Sequence, residues 1–217
     1  MQTIYLLVIG LGVFVISTLV LGFLLRTIHL KKPAEIITRI MHLILIFSVP
    51  LPIVYAISNP FLNIFKFDEF LNIPSLPFPI ISRAAGVAML LIGACLGTLA
   101  TWLLLFRGLG FPLMILTEKL ADNFLYKRMR NPIMLGLYLF IVGIGLLAGS
   151  TFFTLWLLIA LIPSHIFWLK FFEERELEMR FGQSYREYKQ RVPFLIPSFR
   201  KMPGTRPADN NDKNMFS

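Results

Sequence analysis

Two short polar motifs, separated by a long apolar segment, carry the groups that could bind a charged ligand. Arg130, Asn131 and Pro132 precede the segment, and Glu173 and Glu174 follow it. A guanidinium binds carboxylates, whereas carboxylates bind cations and hydroxyl groups, so together the motifs suit a ligand that carries both charges. Proline in the first turn of a helix also leaves neighbouring amide groups available to an anion.

The apolar segment must bring the two motifs together. Residues 131–169 contain no Lys, Arg, Asp or Glu, and about 20 helical residues cross a bilayer, so this segment is long enough for two spans. Gly149 suits a helix C-terminus, while Ser150 and Thr151 suit the N-cap of a following helix. The sequence therefore predicts a helical hairpin, and the two motifs, 41 residues apart along the chain, meet at its open end.

Composition places the whole chain in a membrane. It is 56% hydrophobic and 15% charged, with a mean hydropathy of +0.72, which is not typical of soluble globular proteins. Three further spans are predicted at residues 3–25, 40–58 and 84–106, and Pro50 and Pro52 should interrupt the second. The predicted fold is all-α, a multi-pass membrane protein with about five transmembrane helices.

The basic residues predict the orientation. Nineteen of the 21 lie in segments on the same side as the open end of the hairpin, and only Lys66 and Arg83 lie elsewhere. Because basic loops stay in the cytoplasm, the open end and the C-terminus are predicted to be cytoplasmic and the N-terminus outside. Topology thus accounts for the net charge of +9. Nucleic-acid binding is not expected, since it would need a soluble basic domain.

The chain divides into three predicted regions. Residues 1–106 contain the three N-terminal spans. The second and third spans are joined by a Phe- and Pro-rich connection at 59–82, which should pack in the headgroup layer. Residues 107–202 form a catalytic core, and 203–217 form a tail with the composition of a disordered segment. The core ends in a predicted cytoplasmic amphipathic helix, interrupted near Gly182, that would cover the open end. Its apolar stripe consists of Leu177, Phe181, Tyr185 and Tyr188.

An ordered set of residues in the core carries a resemblance to a known family. The set surrounds the apolar hairpin and consists of Tyr126, Arg130, Asn131, Pro132, Gly136, Glu173, Glu174, Phe181, Gly182, Tyr185 and Tyr188. It resembles the integral membrane methyltransferases of the isoprenylcysteine carboxyl methyltransferase and phospholipid methyltransferase type, over about residues 116–198. Phe124 and Leu125 differ from the small residues usual before the tyrosine, and Met134 replaces a common aromatic.

The resemblance implies an S-adenosylmethionine site closed by the C-terminal segment, and a lipophilic or prenylated acceptor that enters from the membrane lipid. Arg130 and Glu173 are the implied catalytic residues. The implied cofactor contacts are Tyr126, Arg130, Asn131, Pro132, Gly136, Glu173, Glu174, Tyr185 and Tyr188. Methyl transfer from a sulfonium depends on positioning, so no metal is expected. His29, His42 and His165 show no ligand spacing, and His165 is more typical of a satisfied buried histidine.

Simpler interpretations and two other functions fit parts of the pattern. Taken singly, Arg130 suits an ordinary positive flank and the glutamates suit a solvated helix face. Residues 185–197 also resemble the sterol-reductase type of NADPH-dependent reductase, but Glu173 and Glu174 do not suit a 2′-phosphate. A non-enzymatic assembly or transport factor is the other alternative, although no charged residue lies within a predicted span to serve an ion pathway. As acceptor, a carboxylate is slightly favoured over an amine because it is already nucleophilic at pH 7.

Overall fold

The computed structural model describes residues 2–28, 31–58, 64–106 and 125–198. In these ranges the regular structure is helical, without a strand, and the all-α prediction is confirmed for them. The predictions for residues 107–124 and for the 203–217 tail lie outside the described residues. The helices are α1 Gln2–Thr27, α2 Lys31–Ser48, α3 Pro50–Ser58, α4 Phe67–Phe70, α5 Pro79–Phe106, α6 Pro132–Ala148, α7 Thr151–Phe181 and α8 Gln183–Arg191.

Four stretches of helix in the described part of the chain are long and apolar enough to cross a membrane. They are α1, the α2–α3 pair, α5 and α7, so the chain is an integral membrane protein. The other half of the predicted hairpin, α6, has 17 residues, somewhat fewer than the roughly 20 that usually span the hydrocarbon core. By length alone the structure therefore gives four candidate spans and one shorter apolar helix.

The second span begins earlier than predicted and ends at the predicted residue. It runs over Lys32–Ser58 instead of beginning near residue 40, because the helix continues through the polar flank, where charged side chains can reach water. The polar flank of this helix contains Lys32, Glu35 and Arg39. The predicted interruption is confirmed, since the helix breaks between Ser48 and Pro50.

The turn between α6 and α7, here called the closed end of the hairpin, has the helix-capping residues that the sequence predicted. Gly149 ends α6 in the left-handed conformation, with φ 73°, which glycine adopts without a steric cost. Ser150 is the N-cap of α7, and its hydroxyl oxygen accepts a hydrogen bond from the Phe153 amide at 3.2 Å. The predicted turn at 149–151 is thus confirmed.

The described part of the Phe- and Pro-rich connection packs onto this turn. The Thr151 amide donates to Asp68 Oδ2 at 2.9 Å, and the Phe152 amide donates to Asp68 Oδ1 at 2.6 Å. Ile64 and Phe67 are buried beside α7. A carboxylate from the connection therefore caps the first turn of α7, where a negative charge is stabilised by the helix dipole. Residues 59–63 lie outside the described residues.

Helices α5 and α6 approach each other closely through glycines. A Cβ added at Gly93 would lie 2.5 Å from the Phe140 amide nitrogen, and one at Gly86 would lie 2.6 Å from that of Leu147. At such separations only glycine fits, and small residues are the usual means by which membrane helices pack. This close approach fixes α6 and hence the position of Pro132.

Helix α7 contains two π-helical turns, Leu157–Leu161 and Leu169–Glu173. A π-helical turn inserts one residue and changes the direction of every side chain that follows, and such turns often occur at functional sites. The second turn ends at Glu173, immediately before Glu174. The two adjacent glutamates therefore face different surroundings, and α7 is anchored by Trp168, Leu169 and Phe172, which pack against α1 and α2.

Candidate active site

A cavity of about 970 Å³ lies at the open end of the hairpin, between α2, α5, α6, α7 and α8. Its volume is typical of sites that bind small organic ligands. Eight of the nine residues predicted to contact a cofactor line it, although they come from three separate parts of the chain. They are Tyr126, Arg130, Asn131, Pro132, Gly136, Glu173, Tyr185 and Tyr188.

The ninth predicted residue, Glu174, lies behind the cavity wall. Its Oε1 accepts a hydrogen bond from Arg130 Nη1 at 2.7 Å, and its Oε2 accepts one from Lys189 Nζ at 2.6 Å. The side chains of Arg130 and Glu174 are only 10% and 9% exposed, so the pair is stronger than a solvated surface ion pair. Glu174 therefore holds the guanidinium that reaches the cavity and does not line the cavity itself.

Lys189 is a charged partner for two glutamates. It also donates to Glu178 Oε1 at 3.1 Å. Burial lowers the pKa of Lys189, but its hydrogen bonds to Glu174 and Glu178 outweigh that effect and raise the pKa above its ordinary value. The ammonium thus stays protonated at neutral pH and compensates the charge of Glu174.

The C-terminal segment is fastened to the connection that precedes α6. The Arg130 amide donates to the Pro193 carbonyl at 2.9 Å, and Asn131 Nδ2 donates to the Phe194 carbonyl at 3.1 Å. Tyr188 contributes a third contact, because its hydroxyl donates to the Tyr126 carbonyl at 2.7 Å. These contacts join residues more than 60 positions apart and hold the segment over the open end of the hairpin.

The segment that was predicted to form one amphipathic helix is divided between the end of α7 and α8. Helix α7 continues to Phe181, Gly182 follows with φ 57°, and α8 begins at Gln183. The break comes at the residue where the sequence indicated an interruption. The predicted stripe forms one apolar cluster across the break, in which Leu177, Phe181, Tyr185 and Tyr188 pack with Val192.

Three of the predicted site residues occupy structural positions in α6 or at its start. Pro132 occupies the first turn of α6, as predicted, while Asn131 is the N-cap residue without making a side-chain cap. A Cβ added at Gly136 would lie 2.6 Å from the Gly97 amide nitrogen. Gly136 is therefore needed for the contact between α5 and α6, in addition to its place in the cavity wall.

Tyr126 and Tyr185 line the end of the cavity that contains Arg130 and Glu173, here called its polar end. Both tyrosines keep their protons at neutral pH. Burial raises the pKa of Tyr126 above its ordinary value, and Tyr188 and Glu173 raise it further. Burial also raises the pKa of Tyr185, and Glu174 adds to that shift. Both rings are therefore uncharged phenols whose aromatic faces suit a cation.

Several cavity residues were not predicted from the sequence. Glu176 and Arg180 line the polar end and pair with each other, with Arg180 Nε donating to Glu176 Oε1 at 2.8 Å. Trp168 lines the wall deeper in the cavity. Glu176 and Arg180 follow Glu173 by three and seven residues, spacings that place them on the same face of a helix, and Trp168 precedes it by five. That spacing was the signal that could have identified them.

Two buried donors at the cavity have no partner among the described residues. They are Arg130 Nε and Trp168 Nε1. A buried donor left without a hydrogen bond typically costs about 1–3 kcal/mol, so both atoms mark positions where a ligand acceptor would be stabilising. Deeper in the cavity, His165 Nδ1 lies 2.6 Å from the Tyr138 hydroxyl. That contact agrees with the prediction that His165 is a satisfied buried histidine.

The far part of the cavity is lined mainly by apolar residues and lies between α2 and α5. Leu43 on α2 and Thr98 on α5 line it and are both exposed. In a membrane these exposed positions face lipid, so an apolar molecule can reach the cavity without crossing water. No group of three or more His, Cys, Asp or Glu among the described residues could hold a metal ion.

The sequence comparisons agree with this arrangement. Residues 81–184 match the family model for phospholipid methyltransferase. The matched segment contains most of α5, all of α6 and α7, and both polar motifs. The predicted resemblance to the membrane methyltransferases is therefore confirmed over these residues. Methanethiol S-methyltransferase 2 of Bradyrhizobium diazoefficiens is 40% identical over 78 residues, which are 34% of this chain and 27% of that protein. The chain thus matches little more than a quarter of that relative, and no solved structure matches it.

Proposed function

We propose that this chain is an S-adenosylmethionine-dependent methyltransferase that acts on a lipophilic acceptor at the open end of the hairpin. One observation carries the proposal: a single cavity joins a charged end, built from both polar motifs, to an apolar end that opens toward lipid. A cofactor with several charges and an acceptor from the bilayer can therefore meet inside it. The family of residues 81–184 supports the same chemistry.

The residues at the polar end fit this cofactor. Its carboxylate would be held by Arg130, whose Nε is buried without a partner among the described residues, and its ammonium and ribose hydroxyls by Glu173 and Glu176. The sulfonium suits the aromatic faces of Tyr126 and Tyr185, since cations bind to such faces. When bound, the cofactor supplies an electrophilic methyl group. The protein needs to orient the reactants and exclude water.

The surrounding residues perform that orienting role. Glu174 and Lys189 keep the Arg130 guanidinium in one position, and the hydrogen bonds from Arg130 and Asn131 to the C-terminal segment keep the cavity covered. The Tyr188 hydroxyl holds the same C-terminal segment in place by donating a hydrogen bond to the Tyr126 carbonyl. The reaction is thus shielded on its aqueous side while the lipid side stays open to the acceptor.

For the acceptor we favour a carboxylate over an amine, because a carboxylate attacks without first losing a proton. A thiol is the second candidate, since the similar segment belongs to a protein named for methanethiol S-methylation. A thiol must lose a proton before it attacks, whereas a carboxylate does not. The two candidates therefore differ in their need for a general base.

The test is methyl transfer by the purified full chain in nanodiscs with methyl-labelled S-adenosylmethionine. Three acceptors are offered separately: a farnesylated cysteine with a free carboxylate, phosphatidylethanolamine, and methanethiol. We expect labelled product with the first, and we expect Glu173→Gln to lower cofactor affinity by about 1.5–3 kcal/mol. Glu69→Gln, an exposed change at the closed end, is the control. Absence of product in all three arms together with unchanged cofactor affinity in Glu173→Gln would refute the proposal.

We also propose five spans, with α6 as the fifth and the open end of the hairpin in the cytoplasm. Seventeen residues of α6 measure about 26 Å at 1.5 Å each, close to the thickness of a thin bilayer. In a Cys95→Ser background, a cysteine at position 72 should react with an impermeant reagent in intact cells, and one at position 33 should not. Reaction at 33 and not at 72 would invert this orientation.

A further inference from the structure

A second pocket lies beside the active-site cavity and is lined by charged residues. Its volume is about 380 Å³, and none of its lining residues also lines the larger cavity. The lining residues come from the end of α1, from α7 and from α8. They are Arg26, Lys170, Glu174, Arg175, Glu178 and Lys189.

The carboxylates of this pocket are already paired, and part of its positive charge is not. Glu174 is held by Arg130 and Lys189, and Lys189 also bonds Glu178. By contrast, Arg175 Nε is buried with no hydrogen-bond partner in the described structure, and its Nη1 is a distant 4.0 Å from Glu178 Oε2. Lys170 is exposed. The pocket therefore has an excess of cationic donors for an anion.

The pocket lies where a membrane span ends. Arg26 is in the last turn of α1, and the candidate span ends at Thr27. Arg26 Nη2 donates to the Phe171 carbonyl at 3.0 Å, and its guanidinium lies 3.8 Å from the centre of the Phe171 ring. These contacts fix the guanidinium at the depth of the lipid headgroups, where basic residues at the ends of spans usually lie.

An aromatic surface continues from the pocket toward the lipid. The Phe171 ring lies 5.5 Å from that of Phe23 and 5.1 Å from that of Phe167. Phe23 is 61% exposed on α1, so this surface faces acyl chains. A charged pocket directly above an exposed aromatic surface matches the two parts of a lipid molecule, a polar headgroup and an apolar tail.

We propose that this pocket binds the phosphate group of a phospholipid, with an acyl chain lying along Phe23, Phe167 and Phe171. Guanidinium groups bind phosphate oxygens through directed, charge-assisted hydrogen bonds, and Arg175 has an Nε–H available for one. Inorganic phosphate offers the same oxygens but cannot contact the aromatic surface, so the lipid should bind more tightly. The bound lipid is separate from the methyl acceptor, because its pocket does not share a lining residue with the active-site cavity.

The experiment measures lipid binding to the full chain in detergent by native mass spectrometry, without reference to activity. Phosphatidylglycerol is titrated against the natural sequence, the double variant Lys170→Gln/Arg175→Gln and the control Arg186→Gln/Arg191→Gln. The control removes two exposed cations of α8 that do not line the pocket, so both variants lose the same charge. We expect the pocket variant to lose about tenfold or more in affinity, the size of one charged hydrogen bond, and the control to lose less than about twofold.

Three outcomes would overturn the proposal. Equal losses in the pocket variant and the control would mean that lipid is attracted by the overall positive charge. Unchanged affinity in the pocket variant would mean that lipid binds elsewhere. Millimolar inorganic phosphate that displaces the lipid completely would mean that the site recognises free phosphate and not a lipid. If the double variant does not purify, Arg175→Ala alone is judged by the same criteria.

Discussion

The two ends of the hairpin are built in different ways. At the closed end, Gly149 and Ser150 satisfy the helix ends within a few residues, and a single carboxylate, Asp68, supplies the remaining hydrogen bonds. At the open end, Arg130 and Asn131 depend on residues more than 40 positions away. That end also leaves Arg130 Nε buried without a partner in the described structure.

This difference separates a stabilising end from a ligand-binding end. At the closed end, the turn residues Gly149 and Ser150 and the distant carboxylate of Asp68 cap the helix ends without a ligand. The open end has unpaired donors, a π-helical turn and a cavity, features that reduce stability and are retained where they serve a function. Changes at the closed end should therefore lower stability and leave cofactor affinity alone, whereas changes at the open end should do the reverse.

The largest effect is expected from glycine substitutions along α5. A Cβ at Gly86, near the closed end, would lie 2.6 Å from the Leu147 amide nitrogen, whereas a Cβ at Gly97, beside the cavity, would meet nothing within 4 Å. We expect Gly86→Ala to lower the free energy of unfolding by about 3 kcal/mol, because the helices must separate. Gly97→Ala should be neutral or slightly stabilising. Thermal unfolding in detergent measures both, and equal melting temperatures would show that α5 and α6 are not in close contact.

A smaller effect, on binding, is expected at the open end. We expect Arg130→Ala and Glu174→Gln each to weaken S-adenosylmethionine binding by about 1.5–3 kcal/mol, as for a charged hydrogen bond. Because Glu174 acts through Arg130, the double variant should lose much less than the sum of the two. Calorimetry provides the affinities, with Glu178→Gln as the control that removes a Lys189 partner without touching Arg130. Additive losses would mean that Glu174 contacts the cofactor directly.

The closed end provides the opposite test. Asp68→Asn weakens the cap on the first turn of α7 by replacing a carboxylate that accepts two amide hydrogen bonds. We expect the free energy of unfolding to fall by about 1–2 kcal/mol, with cofactor affinity unchanged. Glu69→Gln, its exposed neighbour, is the control for charge. A loss of cofactor affinity in Asp68→Asn would show that the two ends are coupled. It would contradict the division into a stabilising end and a ligand-binding end.

The same contrast explains what could be predicted from the sequence. The turn at 149–151 and the break before Pro50 were predicted correctly, because each depends on the conformational preference of one or two residues. The second span was placed too late, since a charged flank does not stop a helix that extends into the headgroup layer. The meeting of the two motifs was also predicted, because a hairpin returns both its ends to one side.

The arrangement within the site could not be predicted in the same way. Both adjacent glutamates were predicted to contact the cofactor, but Glu173, at the end of a π-helical turn, lines the cavity, whereas Glu174 pairs with Arg130 and Lys189. A π-helical turn has no short-range sequence signal, since it depends on packing between helices. The Asp68 cap was missed for a related reason, because its two partners are more than 80 positions away.

The smallest effect is expected where the C-terminal segment is fastened to the connection before α6. Tyr188→Phe removes the hydrogen bond to the Tyr126 carbonyl but keeps the ring in its apolar cluster. We expect α8 to open more easily by about 1 kcal/mol, which is roughly a fivefold rise in the hydrogen exchange of its amides. Tyr55→Phe, which changes an exposed tyrosine on α3, should leave that exchange unchanged.

If the segment covers a cofactor, S-adenosylhomocysteine should slow the exchange of α8 in the natural sequence and in Tyr188→Phe. It should restore part of the protection from exchange that Tyr188→Phe loses. Equal exchange in the natural sequence and in Tyr188→Phe would mean that the hydrogen bonds of Arg130 and Asn131 are sufficient to hold the C-terminal segment in place. The open end would then be as stable as the closed end at this contact, against the comparison drawn above.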